Sequence, residues 1–339
     1  MNAKEVVNEA FDLGEPERVP ATLFGGGVWT IFNSGNNFLS FKGKPEKYAE
    51  VVLETQRKLD SDIVYMGSGY NNFHAAALGG KMKMREVGAP DLEAPLVNEP
   101  EDLEELDLLG VDEDDVIATV RDATRIVAKN IGDEFAVTVT AWGPFTLAAQ
   151  LRGVERLMFG IYKQPDFVRK ITDFSAEVVK KFYQPLIDDG VIEMVSIAEP
   201  TASGDLISRK HFEEFALPTL KKMIGDFKAK GVSTLLHICG NTRDKIDLIG
   251  NTGADCFSMD SKVDLAFAKE QLEGKMCIAG NVDPVAVMSL GGAEGVRKAS
   301  EKCIHAAASG GGYVLMPGCD IPHTVPYDNI KALMEVAKG

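Results

Sequence analysis

The chain has 339 residues, a length that can form one large domain or two. It carries 36 Lys and Arg residues against 51 Asp and Glu residues, which gives a formal net charge of −15. This charge argues against nucleic acid, an anionic membrane or a polyanionic substrate as a partner. No apolar run is long enough to span a membrane and the first residues do not resemble an export signal, so we expect a cytoplasmic protein.

In chain order, short apolar segments alternate with segments of helical periodicity. We predict strands at residues 19–24, 62–67, 135–140, 192–200, 232–239, 255–260, 275–281 and 313–317. Helical patterns cover residues 3–14, 45–60, 113–129, 155–187, 208–229, 242–252, 264–272, 293–309 and 326–338. Pro144 fits the first turn of a further helix after the third strand.

Short strands that are mostly followed by helices favour an α/β fold, a closed parallel (β/α)8 TIM barrel in a single domain over residues 1–339. Two segments depart from the alternation: an irregular, aromatic-rich N-terminal segment at 28–41, and an acidic excursion at 85–115 between the second and third strands. A doubly wound open sheet is the competing fold. It is disfavoured because no glycine-rich phosphate-binding fingerprint follows any strand.

Polar side chains gather at the carboxyl ends of the later strands. They are Glu199, His237, Cys239, Asp260, Asn281 and Cys319. In a (β/α)8 barrel the active site lies where these strand ends meet the following loops. The pattern therefore indicates an enzyme.

Cysteines supply the first clue to its chemistry. The chain contains five, Cys239, Cys256, Cys277, Cys303 and Cys319, and an odd number in such a chain is not typical of a disulfide framework. Cys256, Cys277 and Cys303 lie within apolar strand or helix patterns, which favours packing as small apolar side chains. Cys239 and Cys319 lie at strand ends beside glycines.

A metal site is predicted from His237, Cys239 and Cys319. His237 and Cys239 are two residues apart, so in a strand their side chains point to the same face. If Cys319 joins them from another strand, the result is a Cys2His site with one open position, which is typical of catalytic zinc. Two thiolates and an imidazole leave zinc with a net charge near zero, so it accepts an anionic fourth ligand. Zinc can then activate a thiol or polarise an ether oxygen, and both roles suit alkyl transfer.

Four short motifs resemble a known family. They are Arg18-Val19-Pro20, Gly143-Pro144-Phe145-Thr146-Leu147-Ala148, His237-Ile238-Cys239-Gly240 and Gly318-Cys319-Asp320-Ile321-Pro322. With the order of strands, they resemble the uroporphyrinogen decarboxylase superfamily, and most closely its zinc-dependent corrinoid methyltransferase branch, which includes the methylcobamide:coenzyme M methyltransferases. The resemblance implies that His237, Cys239 and Cys319 bind Zn2+. It also implies a separate corrinoid protein as partner, because nothing in this chain resembles a corrinoid-binding domain.

The segment after the first strand departs from both branches of that superfamily. The decarboxylase carries an arginine-rich stretch there, whereas this chain has Gly25-Gly26-Gly27-Val28-Trp29-Thr30 and so lacks donors for a polycarboxylate. The coenzyme M enzymes have a polar segment at this place. The aromatic residues at or just past the ends of the first three strands are Trp29, Phe32, Tyr65, Tyr70, Phe73 and Trp142. Together they could form a pocket for a flat, methoxylated aromatic substrate.

The sequence thus predicts a zinc-dependent methyltransferase that moves a methyl group between the cobalt of a corrinoid protein and a small substrate. The direction stays open: a thiol such as coenzyme M accepts the methyl group, as in methanogenesis, or a methoxylated aromatic compound donates it in an O-demethylation. Glu199 and Asp260 are predicted as proton-handling or ligand-supporting groups, and Asn281 and His323 as substrate-binding groups together with the rings at the barrel mouth. The alternatives are a decarboxylase-like enzyme, a zinc hydrolase on the same barrel, or a catalytically idle scaffold. The oligomeric state stays open, a homo-oligomer included.

Overall fold

A curled parallel sheet of seven strands forms the centre of the molecule, which the computed structural model describes over residues 1–339. The strands, in spatial order, are β1 (Ile63–Met66), β4 (Ala136–Trp142), β5 (Met194–Ala198), β6 (Ser233–Ile238), β7 (Cys256–Met259), β8 (Cys277–Ala279) and β9 (Tyr313–Val314). Their order in space follows their order in the chain, so each connection leads to the neighbouring strand. A separate antiparallel pair, β2 (Met82–Lys83) and β3 (Asp91–Leu92), is formed by the chain segment that connects β1 to β4.

Helices connect the strands. They are α1 (Ala3–Phe11), α2 (Gly27–Asn33), α3 (Pro45–Leu59), α4 (Phe73–Ala77), α5 (Gly110–Glu113), α6 (Asp115–Ile131), α7 (Pro144–Arg152), α8 (Val154–Lys163), α9 (Pro165–Asp188), α10 (Arg209–His211), α11 (Leu217–Lys228), α12 (Ile246–Gly250), α13 (Leu265–Leu272), α14 (Gly292–Ala307) and α15 (Tyr327–Lys338). Short 3-10 helices occur at Phe38–Phe41, Pro100–Glu105, Pro200–Ala202 and Arg243–Lys245, and a π-helical turn occurs at Phe212–Ala216.

Residues 20–24 lie between the two edges of the sheet. The Thr22 amide donates to the Leu315 carbonyl at 3.1 Å and the Leu315 amide donates to the Pro20 carbonyl at 2.8 Å, while the Asp62 amide donates to the Ala21 carbonyl on the other side at 2.9 Å. The predicted first strand is therefore reduced to one isolated bridge, between Ala21 and Leu315. The reason is chemical: Pro20 has no N–H to donate, and the Ala21 N–H binds the Asp62 carboxylate at 2.7 Å instead of a strand.

The sheet separates two apolar clusters. A cluster of 84 buried residues packs between the sheet and the surrounding helices. A second cluster of 15 residues fills the inside of the curled sheet and includes Tyr65, Met194 and Leu235. Cys256 and Cys277 are fully buried in this inner cluster, which confirms their predicted role in packing. Inner and outer residues alternate along each strand because successive side chains point to opposite faces.

The structure corrects three sequence-based element boundaries. The irregular segment predicted at 28–41 contains α2, a helix of only seven residues that starts at a glycine run and so carries little periodic signal. The long helix predicted at 155–187 is two helices, because Pro165 starts a new helix at its first position. The helix predicted at 208–229 is interrupted by the π-helical turn at Phe212–Ala216. None of the helices combines the length and the apolar character that crossing a membrane requires.

Candidate metal centre

His237, Cys239 and Cys319 come together at the carboxyl end of the sheet. The distance from Nε2 of His237 to Sγ of Cys239 is 2.9 Å, and the distance between the sulfurs of Cys239 and Cys319 is 3.3 Å. All three candidate ligand atoms lie within 4.8 Å of one another. His237 is buried, whereas the two cysteines are half-buried. The three side chains predicted from the sequence are thus adjacent, and that they bind zinc stays a prediction.

The donor set and its geometry fit a zinc ion. Tetrahedral zinc with Zn–S bonds of about 2.3 Å and a Zn–N bond of about 2.0 Å places its ligand atoms roughly 3.5–3.8 Å apart. The two separations in the structure, 2.9 and 3.3 Å, are slightly shorter, so small outward movements of the side chains would open the required space. His237, Cys239 and Cys319 would then hold the ion and leave one position for another ligand.

The two thiols of the group differ in acidity. The pKa of Cys319 is lowered to about 4. The main cause is the hydrogen bond from Cys239, and the contact with His237 contributes to the same shift. The same contact with Cys319 is the main cause that raises the pKa of Cys239 far above its ordinary value, and burial adds to this effect. At neutral pH the pair therefore shares one proton. A bound metal would displace it and stabilise both thiolates.

Neighbouring residues fix the orientation of the His237 ring. Its Nδ1 lies 2.9 Å from Oγ of Ser258, and the ring of Phe24 stacks on it with a centroid distance of 4.0 Å and an interplanar angle of 30°. Ser258 was missed by sequence reasoning, because it is an ordinary small residue in a strand. Only the register of β6 and β7, which pairs His237 with Ser258, makes it a neighbour of the candidate ligand.

Two aspartates support the backbone around the cysteines. Asp260 accepts hydrogen bonds from the Gly240 amide at 2.9 Å and from the Lys262 amide at 3.0 Å. Asp320 accepts from the Gly26 amide at 2.9 Å and from the Ser68 hydroxyl at 3.2 Å, and burial raises its pKa to about 7. Asp260, predicted as a site residue, thus lies beside Cys239. Asp320 belongs to the motif Gly318–Pro322, and its contacts with Gly26 and Ser68 could not be inferred from the sequence.

The glycine run after residue 24 is explained by this packing. Gly25 and Gly26 have φ angles of 67° and 70°, which L-amino acids with side chains rarely adopt. A Cβ atom on Gly25 would lie 2.6 Å from Oγ of Ser68. The run therefore allows the backbone to approach Ser68 and Asp320 closely.

Glu199 caps a helix next to the site. Its carboxylate accepts hydrogen bonds from the Phe145 amide, at 3.1 Å, and from the Thr146 amide, both in the first turn of α7. The side chain is fully buried, and this burial raises its pKa to about 7. A carboxylate at a helix N-terminus is stabilised by the unpaired amides there. This contact supports a positioning role for Glu199, and a direct role in catalysis stays untested.

The predicted aromatic pocket is divided between the two apolar clusters. Trp29, Tyr70 and Phe73 belong to the cluster between sheet and helices, whereas Tyr65 belongs to the cluster inside the sheet, and Trp142 packs against both. The polar groups of two of these rings have partners within the protein: Nε1 of Trp29 donates to the Val325 carbonyl, and the Tyr70 hydroxyl donates to the Phe38 carbonyl. The Tyr65 hydroxyl is buried without a partner.

The two remaining predicted residues lie on different loops. The Asn281 side chain donates to the carbonyls of Asp260, at 3.1 Å, and Val263, at 2.7 Å, and so holds the loop that follows β7. His323 is half-buried, and its ring lies 5.9 Å from that of Phe32. Neither side chain hydrogen-bonds to His237, Cys239 or Cys319, and the predicted part of Asn281 and His323 in substrate binding stays untested.

Comparisons with known proteins find relatives that are named as methyltransferases. Methylcobamide:CoM methyltransferase MtbA of Methanosarcina mazei is 33% identical over 223 residues, which is 66% of this chain and 64% of that protein. The aligned part thus spans less than two thirds of that relative. The protein of the same name from Methanosarcina acetivorans is 30% identical over 74% of this chain and 71% of its own length.

A solved structure described as a methyltransferase from Methanosarcina mazei superposes with a TM-score of 0.88. The match covers 100% of this chain and 98% of that one at 22% identity, so it supports the fold alone. The family model described as uroporphyrinogen decarboxylase (URO-D) matches residues 3–339. The chain therefore belongs to the uroporphyrinogen decarboxylase family.

Proposed function

We propose that this protein is a zinc-dependent methyltransferase that transfers a methyl group from the cobalt of a separate corrinoid protein to a small thiol. The observation that carries the proposal is the cluster of His237, Cys239 and Cys319, whose donor atoms lie within 4.8 Å of one another. Relatives named for methyl transfer from a methylcobamide to CoM support the same chemistry. We also propose that residues 1–339 form a single (β/α)8 barrel, in which residues 20–24 take the place of the remaining strand.

The thiol is preferred over a methoxylated aromatic substrate for two reasons. The aromatic side chains that could have bound a flat ring belong to separate clusters, and most of them are packed against other residues. A further relative is named a methylated-thiol–coenzyme M methyltransferase, at 26% identity over 79% of this chain. A uroporphyrinogen decarboxylase activity is disfavoured, because the glycine run after residue 24 lacks the arginines that a polycarboxylate requires.

In the proposed reaction the chain holds the acceptor thiol and removes its proton. When bound, zinc would lower the pKa of a thiol ligand so that it reacts as a thiolate. The substrate sulfur then forms a bond to the methyl carbon, the Co–C bond breaks, and its electron pair remains on cobalt. Asp260 is half-buried beside Cys239, and we propose that it receives the proton of the thiol. Asp320 and Ser68 hold the glycine run that borders Cys319.

The partner would dock on an apolar rim beside this site, formed by Leu206, Val285 and Leu290. Their side chains are 50%, 53% and 78% exposed, although large apolar side chains are normally buried. Two polar contacts connect the loops that carry these residues: Lys262 donates to Asp205 at 2.7 Å and Ser261 donates to Asp283 at 3.4 Å. These contacts join the loops that follow β5, β7 and β8. A corrinoid protein that covers this rim would bring its cobalt to the side on which the cysteines are exposed.

The test begins with metal analysis of protein purified without chelators. We expect near-stoichiometric zinc in the wild type, a large loss in Cys239→Ala and Cys319→Ala, and no loss in Cys303→Ala, a half-buried cysteine outside the group. The same samples are mixed with methylcobalamin and a panel of thiols, and the cobalt spectrum is followed. Demethylation that requires both cysteines supports the proposal. Zinc content that is indifferent to both cysteines would refute the metal site.

Two further assays distinguish methyl transfer to a thiol from the alternative activities. Incubation of cob(I)alamin with methoxylated aromatic compounds tests the reverse direction, and methylation of cobalt in this arm alone would overturn the choice of a thiol. Ester and amide hydrolysis without any corrinoid would instead indicate the zinc hydrolase.

A further inference from the structure

We infer that Ser258 is a positioning residue for the candidate metal centre: it selects the tautomer and the orientation of His237. Its hydroxyl accepts the Nδ1–H of His237, so that the lone pair on Nε2 is directed at the two sulfurs. The inference rests on the proposed function, because it assigns to Ser258 a role in binding the metal on which that function depends.

The geometry of the contact is fixed by the sheet. His237 on β6 and Ser258 on β7 are register partners in neighbouring parallel strands, and Oγ lies 2.9 Å from Nδ1. Both side chains face the inside of the sheet, because Leu235 and Cys256, two residues earlier in each strand, belong to the inner cluster. Ser258 is fully buried. Neither partner can therefore exchange this hydrogen bond for one to bulk water.

Phe24 adds a second restraint on the same ring. It stacks on the imidazole at a centroid distance of 4.0 Å, and it belongs to the inner cluster that fills the sheet. A rotation of the imidazole about its Cβ–Cγ bond would break the hydrogen bond to Ser258 and the stacking contact together. Nε2 thus stays on the side of Cys239, at 2.9 Å from its sulfur.

Ser258 is an uncharged hydrogen-bond acceptor, and this property is as important for the metal centre as its position. A histidine that binds a metal usually donates its second N–H to an acceptor, and a carboxylate acceptor makes the imidazole more electron-rich. Asp260 and Asp320 already place negative charge near Cys239. A hydroxyl orients His237 without adding a further charge, so that a zinc ion held by two thiolates and a neutral imidazole would still accept a thiolate from the substrate as its fourth ligand.

Ser196 provides a matched control. It lies on β5 between Met194 and Ala198, which both belong to the inner cluster, so its hydroxyl also faces the inside of the sheet. It is fully buried and has no hydrogen-bond partner. Ser196→Ala therefore removes the same group from the same interior without affecting His237.

The test is the affinity for zinc, measured by competition with a fluorescent chelator in wild type, Ser258→Ala, Ser258→Thr and Ser196→Ala. Loss of such a supporting hydrogen bond typically weakens metal binding by about 10–100-fold, and we expect a loss of this size in Ser258→Ala. Ser258→Thr, which retains a hydroxyl, should restore most of the affinity, and Ser196→Ala should bind as the wild type does. In the zinc-loaded wild type, the 15N spectrum of His237 should show a protonated Nδ1 and a metal-bound Nε2.

The outcomes distinguish this inference from the proposed function. A wild type that binds no zinc refutes the metal site itself. A wild type that binds zinc, with an equal affinity in Ser258→Ala or an equal loss in Ser196→Ala, refutes only the role of Ser258. A metal bound through Nδ1 in the spectrum of the wild type would do the same. Thermal unfolding of each apoprotein separates a loss of zinc affinity from a loss of the fold.

Discussion

Acidification should destabilise the protein through His74, a buried histidine far in sequence from the metal centre. Its Nδ1 donates to the Asn71 carbonyl at 2.8 Å, its Nε2 is buried without a partner, and its ring packs at 4.4 Å from that of Phe182. The pKa of His74 is lowered from 6.5 to about 4. Burial is the main cause, and the charge of Arg121 acts in the same direction. The folded protein therefore holds His74 neutral at pH values where the unfolded chain is already protonated.

The sign and size follow from proton linkage. Between pH 6.5 and pH 4 the unfolded state binds more protons at this residue, so the free energy of unfolding falls as the pH falls. A pKa shift of this size changes the free energy of unfolding by about 3 kcal/mol in total. About 2 kcal/mol of this stability is already lost at pH 5. Glu199 and Asp320 act in the opposite sense, because a raised pKa of about 7 makes their folded state bind more protons.

A variant isolates the contribution of His74 from these opposing groups. His74→Asn keeps a donor near the position of Nδ1 but does not titrate. We would measure urea unfolding of both proteins by circular dichroism at pH 7.5, 6.5, 5.5 and 5. The difference in the free energy of unfolding, wild type minus variant, should fall by about 2 kcal/mol as the pH is lowered from 7.5 to 5. A difference that stays constant within about 0.5 kcal/mol would show that His74 is not held neutral by burial.

Two further predictions concern the ion pair at the first strand and the apolar rim. Arg18 donates twice to Asp62, at 2.6 and 2.7 Å, so Arg18→Met should leave a buried carboxylate unpaired and cost about 3–5 kcal/mol in urea unfolding. Arg85→Met, in an exposed pair, should cost less than about 1 kcal/mol, and equal losses would contradict the reasoning. Leu290→Asp should slow methyl transfer from a corrinoid protein but leave zinc content and the reaction with free methylcobalamin unchanged. Leu109→Asp, at another exposed leucine, in the acidic excursion, should change neither rate, and a slower reaction with free methylcobalamin in Leu290→Asp would contradict a docking role.

Local periodicity was sufficient for most of the secondary structure and for part of the site. The helices at Pro45–Leu59, Leu265–Leu272 and Tyr327–Lys338 lie within a residue or two of their predicted bounds, because each carries an apolar face with helical spacing. The proximity of His237 and Cys239 also follows from local geometry, since residues two apart in a strand share a face. Cys319 could be added because parallel strands place their carboxyl ends at the same edge.

Register and long-range packing decided what the sequence could not determine. The proximity of Ser258 to His237 depends on how β7 aligns with β6, and the stacking of Phe24 depends on how residues 20–24 fit between the sheet edges. Glu199 was expected near the carboxyl end of the strand predicted at 192–200. Only the folded chain shows that its carboxylate lies at the first turn of α7. The aromatic side chains were close to one edge in the sequence pattern, yet they divide between the cluster that packs against the helices and the cluster inside the sheet. These features arise from contacts between segments distant in the chain, on which a periodic pattern within one segment carries no information.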